Sequence, residues 1–166
     1  MPLLSGLFNA RSRERPLIDK RGEAPMGLFD TDEGKRRLLS VELPILERYN
    51  QERDADFRIV AQRQGSGLAL RFRLKPVHNI YELETRLLSS YPTTPPETRV
   101  LTPIKPCPHL LEGQLLCMWR QGSTWTTSRW DPSRFTCVFA VQAAWRWLAC
   151  YEVWHETGEW PIPDAK

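Results

Sequence analysis

The chain has 166 residues, 41% hydrophobic and 26% charged, a balance that excludes disordered and fibrous classes. A chain of this length buries about 68–70% of its unfolded surface, enough for one core without disulfide staples. The net charge of +3 is concentrated: residues 11–21 hold five of the 23 basic groups and two of the 20 acidic ones, so the remaining body balances at 18 of each and lacks the basic face a nucleic-acid binder needs.

Residues 1–8 lack a basic n-region and are too short for a signal h-region with a cleavage site. The four cysteines, Cys107, Cys117, Cys137 and Cys150, are therefore expected as reduced thiols in a cytosol. Residues 1–30 show little hydrophobic periodicity and read as a basic arm, flexible or packed on the body, ahead of one domain over 31–166. Between 32 and 43, Leu38, Leu39 and Leu43 recur at helical spacing with Asp32 as cap. Pro44 breaks or kinks that helix, and residues 45–49 continue it for one more turn.

Three runs then alternate with period two. Phe57, Ile59 and Ala61 alternate with Asp56, Arg58 and Val60, and Gly65-Ser66-Gly67 supplies a turn. Leu68, Leu70, Phe72 and Leu74 alternate with Ala69, Arg71 and Arg73, and Tyr81, Leu83, Thr85 and Leu87 with Glu82, Glu84 and Arg86. Half-buried strands with short links predict an antiparallel meander with one wet face. Tyr91-Pro92-Thr93-Thr94-Pro95-Pro96 is incompatible with helix or central strand. Arg99-Val100-Leu101 reads as a short fourth strand, and Pro103, Pro106 and Pro108 stiffen the path to His109.

All seven tryptophans lie between Trp119 and Trp160, where the last element is a long helix. Asp131 caps it, Pro132 takes the first position and Gly158 closes it. Phe135, Val138, Phe139, Trp145 and Leu148 share a stripe, while Val141, Ala144 and Trp147 make it apolar nearly all round, as in a helix packed on more than one side. Gln142, Arg146 and Glu152 interrupt the run and argue against a membrane span. The order of elements predicts an α+β domain with helices against one antiparallel sheet.

Cys117 lies in Gly113-Gln114-Leu115-Leu116-Cys117-Met118-Trp119, after an irregular loop and before the Gln121-Gly122-Ser123 turn. A thiol there could face a groove and attack a carbonyl carbon to form a thioester; against this, free cysteines are commonly buried and inert. Cys137 and Cys150 read as core, and Cys107 is open to either role. His78, His109 and His155 stand in no protease motif. Cys107, His109 and Cys117 lack a fourth ligand for tetrahedral zinc, and no Gly-x-x-x-x-Gly-Lys phosphate loop occurs. Trp119, Trp125 and Trp130 read as loop-packing anchors.

Taken together, Tyr91-Pro92-x-x-Pro95-Pro96, His109, Leu116-Cys117, Trp125 and Trp130-Asp131-Pro132 resemble the motif order of ubiquitin-conjugating enzymes, including the spacing of eight residues from Cys117 to Trp125. Residues 147–152 and 157–161 are more similar to the bacterial branch found beside cyclic-nucleotide synthases in anti-phage CBASS operons. The likeness spans about residues 36–161. It implies a ubiquitin-conjugating-enzyme-like fold, a four-stranded antiparallel meander with flanking helices, with Cys117 as the nucleophile. Leu110-Leu111 follow His109, so the family's oxyanion asparagine is absent. Backbone amides near Cys117 or the His109 ring would take its place, or His109 only fixes the loop.

The resemblance further implies a cytoplasmic, stand-alone transferase that uses neither metal nor organic cofactor. Cys117 would hold, as a thioester, the C-terminus of a protein partner, a cGAS-like nucleotidyltransferase of the operon. Forming a thioester from a free carboxylate is uphill, so an ATP-using activating enzyme is needed, for which this chain has no room. No nucleic-acid or membrane partner is implied. The alternative is a non-catalytic ubiquitin-conjugating-like binding module regulating the same partner. A third reading, DNA contact through the basic arm, stands against a solvated tail.

Overall fold

The computed structural model describes residues 27–119 and 130–162. Thr31, not Asp32, starts the first helix: its hydroxyl accepts from the Gly34 N–H at 3.0 Å and caps α1 (Asp32–Arg37). Asp32 falls in the first turn, where a negative charge suits the helix N-terminus. A π turn (Leu38–Glu42) leads into α2 (Leu43–Gln51). Pro44 has no N–H to return to Ser40, and the Leu43 N–H reaches back five residues to the Leu38 carbonyl. The expected break at Pro44 is therefore a register shift within one continuous helical stretch, with proline tolerated in the first turn of α2.

β1 (Val60–Gln64) begins later than the alternation predicts, because Ala55–Phe57 form a 3-10 turn. Asn50 fixes the strand entry: its Oδ1 accepts from Ile59 N at 2.7 Å and its Nδ2 donates to Ile59 O at 2.9 Å. The Gly65-Ser66 turn then pairs Gln64 with Gly67 and opens β2 (Gly67–Leu74). β3 (Tyr81–Leu87) and β4 (Glu97–Val100) complete an antiparallel meander, with Leu70 opposite Thr85 and Leu83 opposite Val100. Leu101, expected in the fourth strand, lies beyond β4 and is exposed. Two short strands, β5 (Leu110–Leu111) and β6 (Leu115–Leu116), lengthen the sheet to the order β1-β2-β3-β4-β6-β5.

The inner face carries Leu68, Leu70, Phe72, Leu74, Leu83, Leu87 and Val100, all buried. Against it lies α3 (Cys137–Thr157), which contributes Val138, Val141, Ala144, Trp147, Leu148 and Tyr151. Burial on several sides accords with the all-round apolar pattern, although Trp145 points outward at 44% exposure and leaves the predicted stripe. α3 also starts later than predicted. The Asp131 carboxylate is taken up by a local turn, accepting from Ser133 N at 2.9 Å and Ser133 Oγ at 2.6 Å, and the N-cap is Thr136. Gly158 closes the helix at φ 77, a left-handed conformation that a Cβ would disfavour.

Glu84, predicted on the wet face, is 3% exposed because two arginines cover it. Arg86 Nε donates at 2.6 Å and Arg71 Nε at 3.0 Å. Burial pushes its carboxyl up, but these hydrogen bonds outweigh that and hold it below the usual glutamate range. Leu28 and Phe29 join the core, so the chain is laid on the body from at least residue 27. The basic residues of 11–21 lie outside the described residues. No helix among the described residues is long and apolar enough to cross a membrane.

Candidate active site

A hairpin of two-residue strands, joined by Glu112–Gln114, delivers Cys117. β5 and β6 pair Leu110 with Leu116, and the Cys117 N–H donates to the His109 carbonyl at 3.0 Å, closing the hairpin. The return is tight: His109 (φ 65), Gly113 (φ 67) and Gln114 (φ 58) all adopt left-handed backbone. Outside glycine that region is costly and is held only by surrounding structure. Here Arg99 Nη1 grips the Gly113 carbonyl at 3.1 Å, and the Gln114 side chain accepts from Ile104 N at 3.0 Å.

Cys117 is only 6% exposed, yet it lines a groove of about 440 Å³. One wall is the connection from β3 to β4, through Leu88, Ser90, Thr94, Pro95 and Pro96. The other is the hairpin and its exit, through Leu111, Leu115, Met118 and Trp119. The lining is mostly hydrocarbon, with Glu97 its one charged side chain, so the groove suits a largely apolar chain better than an anionic ligand. Trp119 Nε1 donates to the Pro96 carbonyl at 3.0 Å and joins the two walls.

Both predicted site residues meet here, joined by a backbone hydrogen bond. The His109 carbonyl serves Cys117 N, while the His109 ring packs on Trp160 with centroids 5.1 Å apart. The Met118 N–H donates to Leu116 O at 3.0 Å, so the amides of Cys117 and Met118 are both engaged within the main chain. Trp125 and the Gln121-Gly122-Ser123 turn lie outside the described residues. Burial pushes the half-buried Cys107 thiol up to about 11. It likewise raises Cys150 and, with help from the neighbouring Glu42 carboxylate, carries fully buried Cys137 well above the ordinary thiol range. None of those three is poised as a thiolate.

The sequence reading missed a buried polar node. Glu42, fully buried, accepts from Arg37 Nε at 2.8 Å, Tyr91 OH at 2.6 Å and Cys137 N at 2.9 Å. Arg37 also donates through Nη1 and Nη2 to the Pro132 and Phe135 carbonyls, each at 2.6 Å. Burial, then the Glu42 charge, pushes the Tyr91 hydroxyl far above its ordinary value, so it is a permanent donor. Trp130 Nε1 adds a bond of 2.8 Å to Pro92 O. The tryptophans read as anchors at 119 and 130 thus act as anchors of the proline-rich connection. Glu42 carried a signal in its spacing, a carboxylate four residues from both Leu38 and Leu46 on the apolar stripe.

An antiparallel meander, a Tyr-Pro-x-x-Pro-Pro connection and a hairpin presenting a cysteine make up an E2-like, ubiquitin-conjugating-like domain. The family model of the Type II CBASS E2 protein matches residues 49–166, and the chain belongs to that family. Membership connects it with CBASS antiviral defence and with a protein partner in such a system. No curated protein matches the chain.

Proposed function

We propose that this CBASS E2-like protein is a thiol transferase of the cytoplasm, with Cys117 as its nucleophile. The observation that carries the reading is the place of Cys117, at the end of β6 on an apolar groove between the hairpin and the proline-rich connection. Its substrate is the C-terminal tail of a protein partner, a cGAS-like nucleotidyltransferase, delivered as a thioester by an ATP-using activating enzyme. Cys117 Sγ attacks the carbonyl carbon; its C–S bond forms as the bond to the activating enzyme's sulfur breaks, and the thiol proton passes to the departing thiolate. A lysine amine then attacks the same carbon. The C–N bond forms, the C–S bond breaks, and the amine's proton goes to the Cys117 sulfur. The part of His109 in this scheme is its carbonyl, which holds the Cys117 main chain at the groove.

A second reading draws on the 6% exposure of Cys117: a domain that holds the same partner without chemistry. Expression with the proposed nucleotidyltransferase partner and an activating enzyme separates the two. Thiol transfer predicts that Cys117→Ala loses both the partner conjugate and phage protection. Protection and conjugate both unchanged in Cys117→Ala favour the binding domain.

A further inference from the structure

The geometry points to Glu42 as a positioning residue for the Cys117 groove, acting through Tyr91 on the groove wall; this rests on the thiol-transfer reading above. The wall formed by the β3–β4 connection contains Pro92, Pro95 and Pro96, which cannot donate to a strand ladder. Side chains from elsewhere hold it instead. Tyr91 OH is tied to Glu42 Oε1 at 2.6 Å, Pro92 O to Trp130 Nε1 at 2.8 Å and Pro96 O to Trp119 Nε1 at 3.0 Å.

Of these three ties the first is the deepest, since Tyr91 and Glu42 are both fully buried. Glu42 is also oriented from two further sides, by Arg37 Nε at 2.8 Å and Cys137 N at 2.9 Å. A carboxylate held by three donors away from water has one orientation, which makes the Tyr91 hydroxyl a fixed point from which the connection hangs. Glu42 faces inward with Leu38, four residues before it, and the π turn brings Arg37 beside it. At 100° per residue an α-helix would set residues 37 and 42 about 140° apart, whereas a turn closing over five residues brings them onto one side.

An incoming tail must set its carbonyl carbon at Cys117 between this wall and the hairpin, and a misplacement of about 1 Å can cost 10²-fold in rate. Loosening the Tyr91 tie widens the groove. Capture of the tail suffers more than the exchange at sulfur, and Cys117 becomes easier to reach.

The test uses the full chain with Tyr91→Phe and Glu42→Gln, each checked for folding by circular dichroism. A synthetic octapeptide of uncharged residues, ending in an ethyl thioester, acylates Cys117, followed by intact mass across peptide concentrations. In parallel, iodoacetamide labelling of Cys117 is timed by peptide mass without any peptide substrate. In Tyr91→Phe the half-saturating peptide concentration should rise about fivefold with the maximal rate within about twofold, and labelling should quicken about threefold, the scale of one hydrogen bond. A role in stability alone would lower the melting temperature and move neither quantity. A folded Tyr91→Phe with unchanged half-saturation and unchanged labelling overturns the inference. Glu42→Gln keeps one acceptor oxygen for the Tyr91 hydroxyl, so it should move both quantities in the same direction by less than Tyr91→Phe; if it does not fold, Tyr91→Phe decides alone. Failure of the peptide to acylate wild-type Cys117 contradicts the thiol-transfer reading, and the labelling rates then still decide whether Tyr91 sets the wall.

Discussion

Glu42→Ala is the most informative perturbation of stability. It strips the acceptor from three donors at once: Arg37 Nε, Tyr91 OH and Cys137 N. Tyr91 and Cys137 are fully buried, so neither stranded donor can turn to bulk water, and each costs about 1–3 kcal/mol. Arg37 keeps its bonds to the Pro132 and Phe135 carbonyls and has 17% side-chain exposure, so its lost counter-charge adds less than a fully buried ion would. The expected loss is about 3–5 kcal/mol, or about 6–20 °C in melting temperature at 2–4 °C per kcal/mol. Urea unfolding followed by tryptophan fluorescence measures it. Tyr91→Phe alone should cost about 1 kcal/mol, and in the Glu42→Ala background it should cost nothing or recover stability, because the hydroxyl it removes has already lost its partner. A Glu42→Ala loss below about 1 kcal/mol, or strict additivity of the pair, would refute the node as described.

Other variants probe separate contacts. A Cβ on Gly34 would meet Gly27 O at 2.3 Å and Leu28 Cα at 2.9 Å, so Gly34→Ala should destabilise by about 1–3 kcal/mol despite alanine's helix propensity; a higher urea midpoint would contradict it. Because the Glu84 carboxyl is held low in the fold, its contribution is present above the ordinary glutamate pKa and lost as pH falls through the lowered folded value. Glu84→Gln should therefore flatten the acid limb of the stability profile by up to about 1 kcal/mol, since Arg71 is exposed and Arg86 partly so. An acid limb identical to wild type would contradict this assignment. Cys107, pushed up to about 11, should react with iodoacetamide at pH 8 at least about tenfold more slowly than an ordinary free cysteine and quicken only toward that value.

Much of the architecture was written in the alternation of apolar residues. Leu68, Leu70, Phe72 and Leu74 had one feasible inward face, and that face is buried. Ends of elements were less legible, because tertiary partners set them. Asn50 decides where β1 begins, and Arg37, by taking the Pro132 and Phe135 carbonyls, accompanies a helix start delayed to Cys137. Glu84 looked wet because covering by long arginine side chains leaves no periodic trace. Cys117 and His109 could be singled out from the motif order, but not the way they meet, since a carbonyl-to-amide bond depends on hairpin geometry and not on residue type. Glu42 stands four residues from both Leu38 and Leu46, on the apolar stripe, but a lone carboxylate there does not reveal its partners, which come from Arg37, Tyr91 and Cys137.

The central claim, that Cys117 carries the partner's tail, is met most directly by intact mass under non-reducing conditions. The protein would be co-expressed with the proposed nucleotidyltransferase partner and an activating enzyme, and the modified peptide mapped. The account predicts an added mass on the peptide containing Cys117 that dithiothreitol removes, persists as a thiol-resistant ester in Cys117→Ser and is absent in Cys117→Ala. An adduct on Cys107, Cys137 or Cys150 instead, or one undiminished in Cys117→Ala, would contradict it.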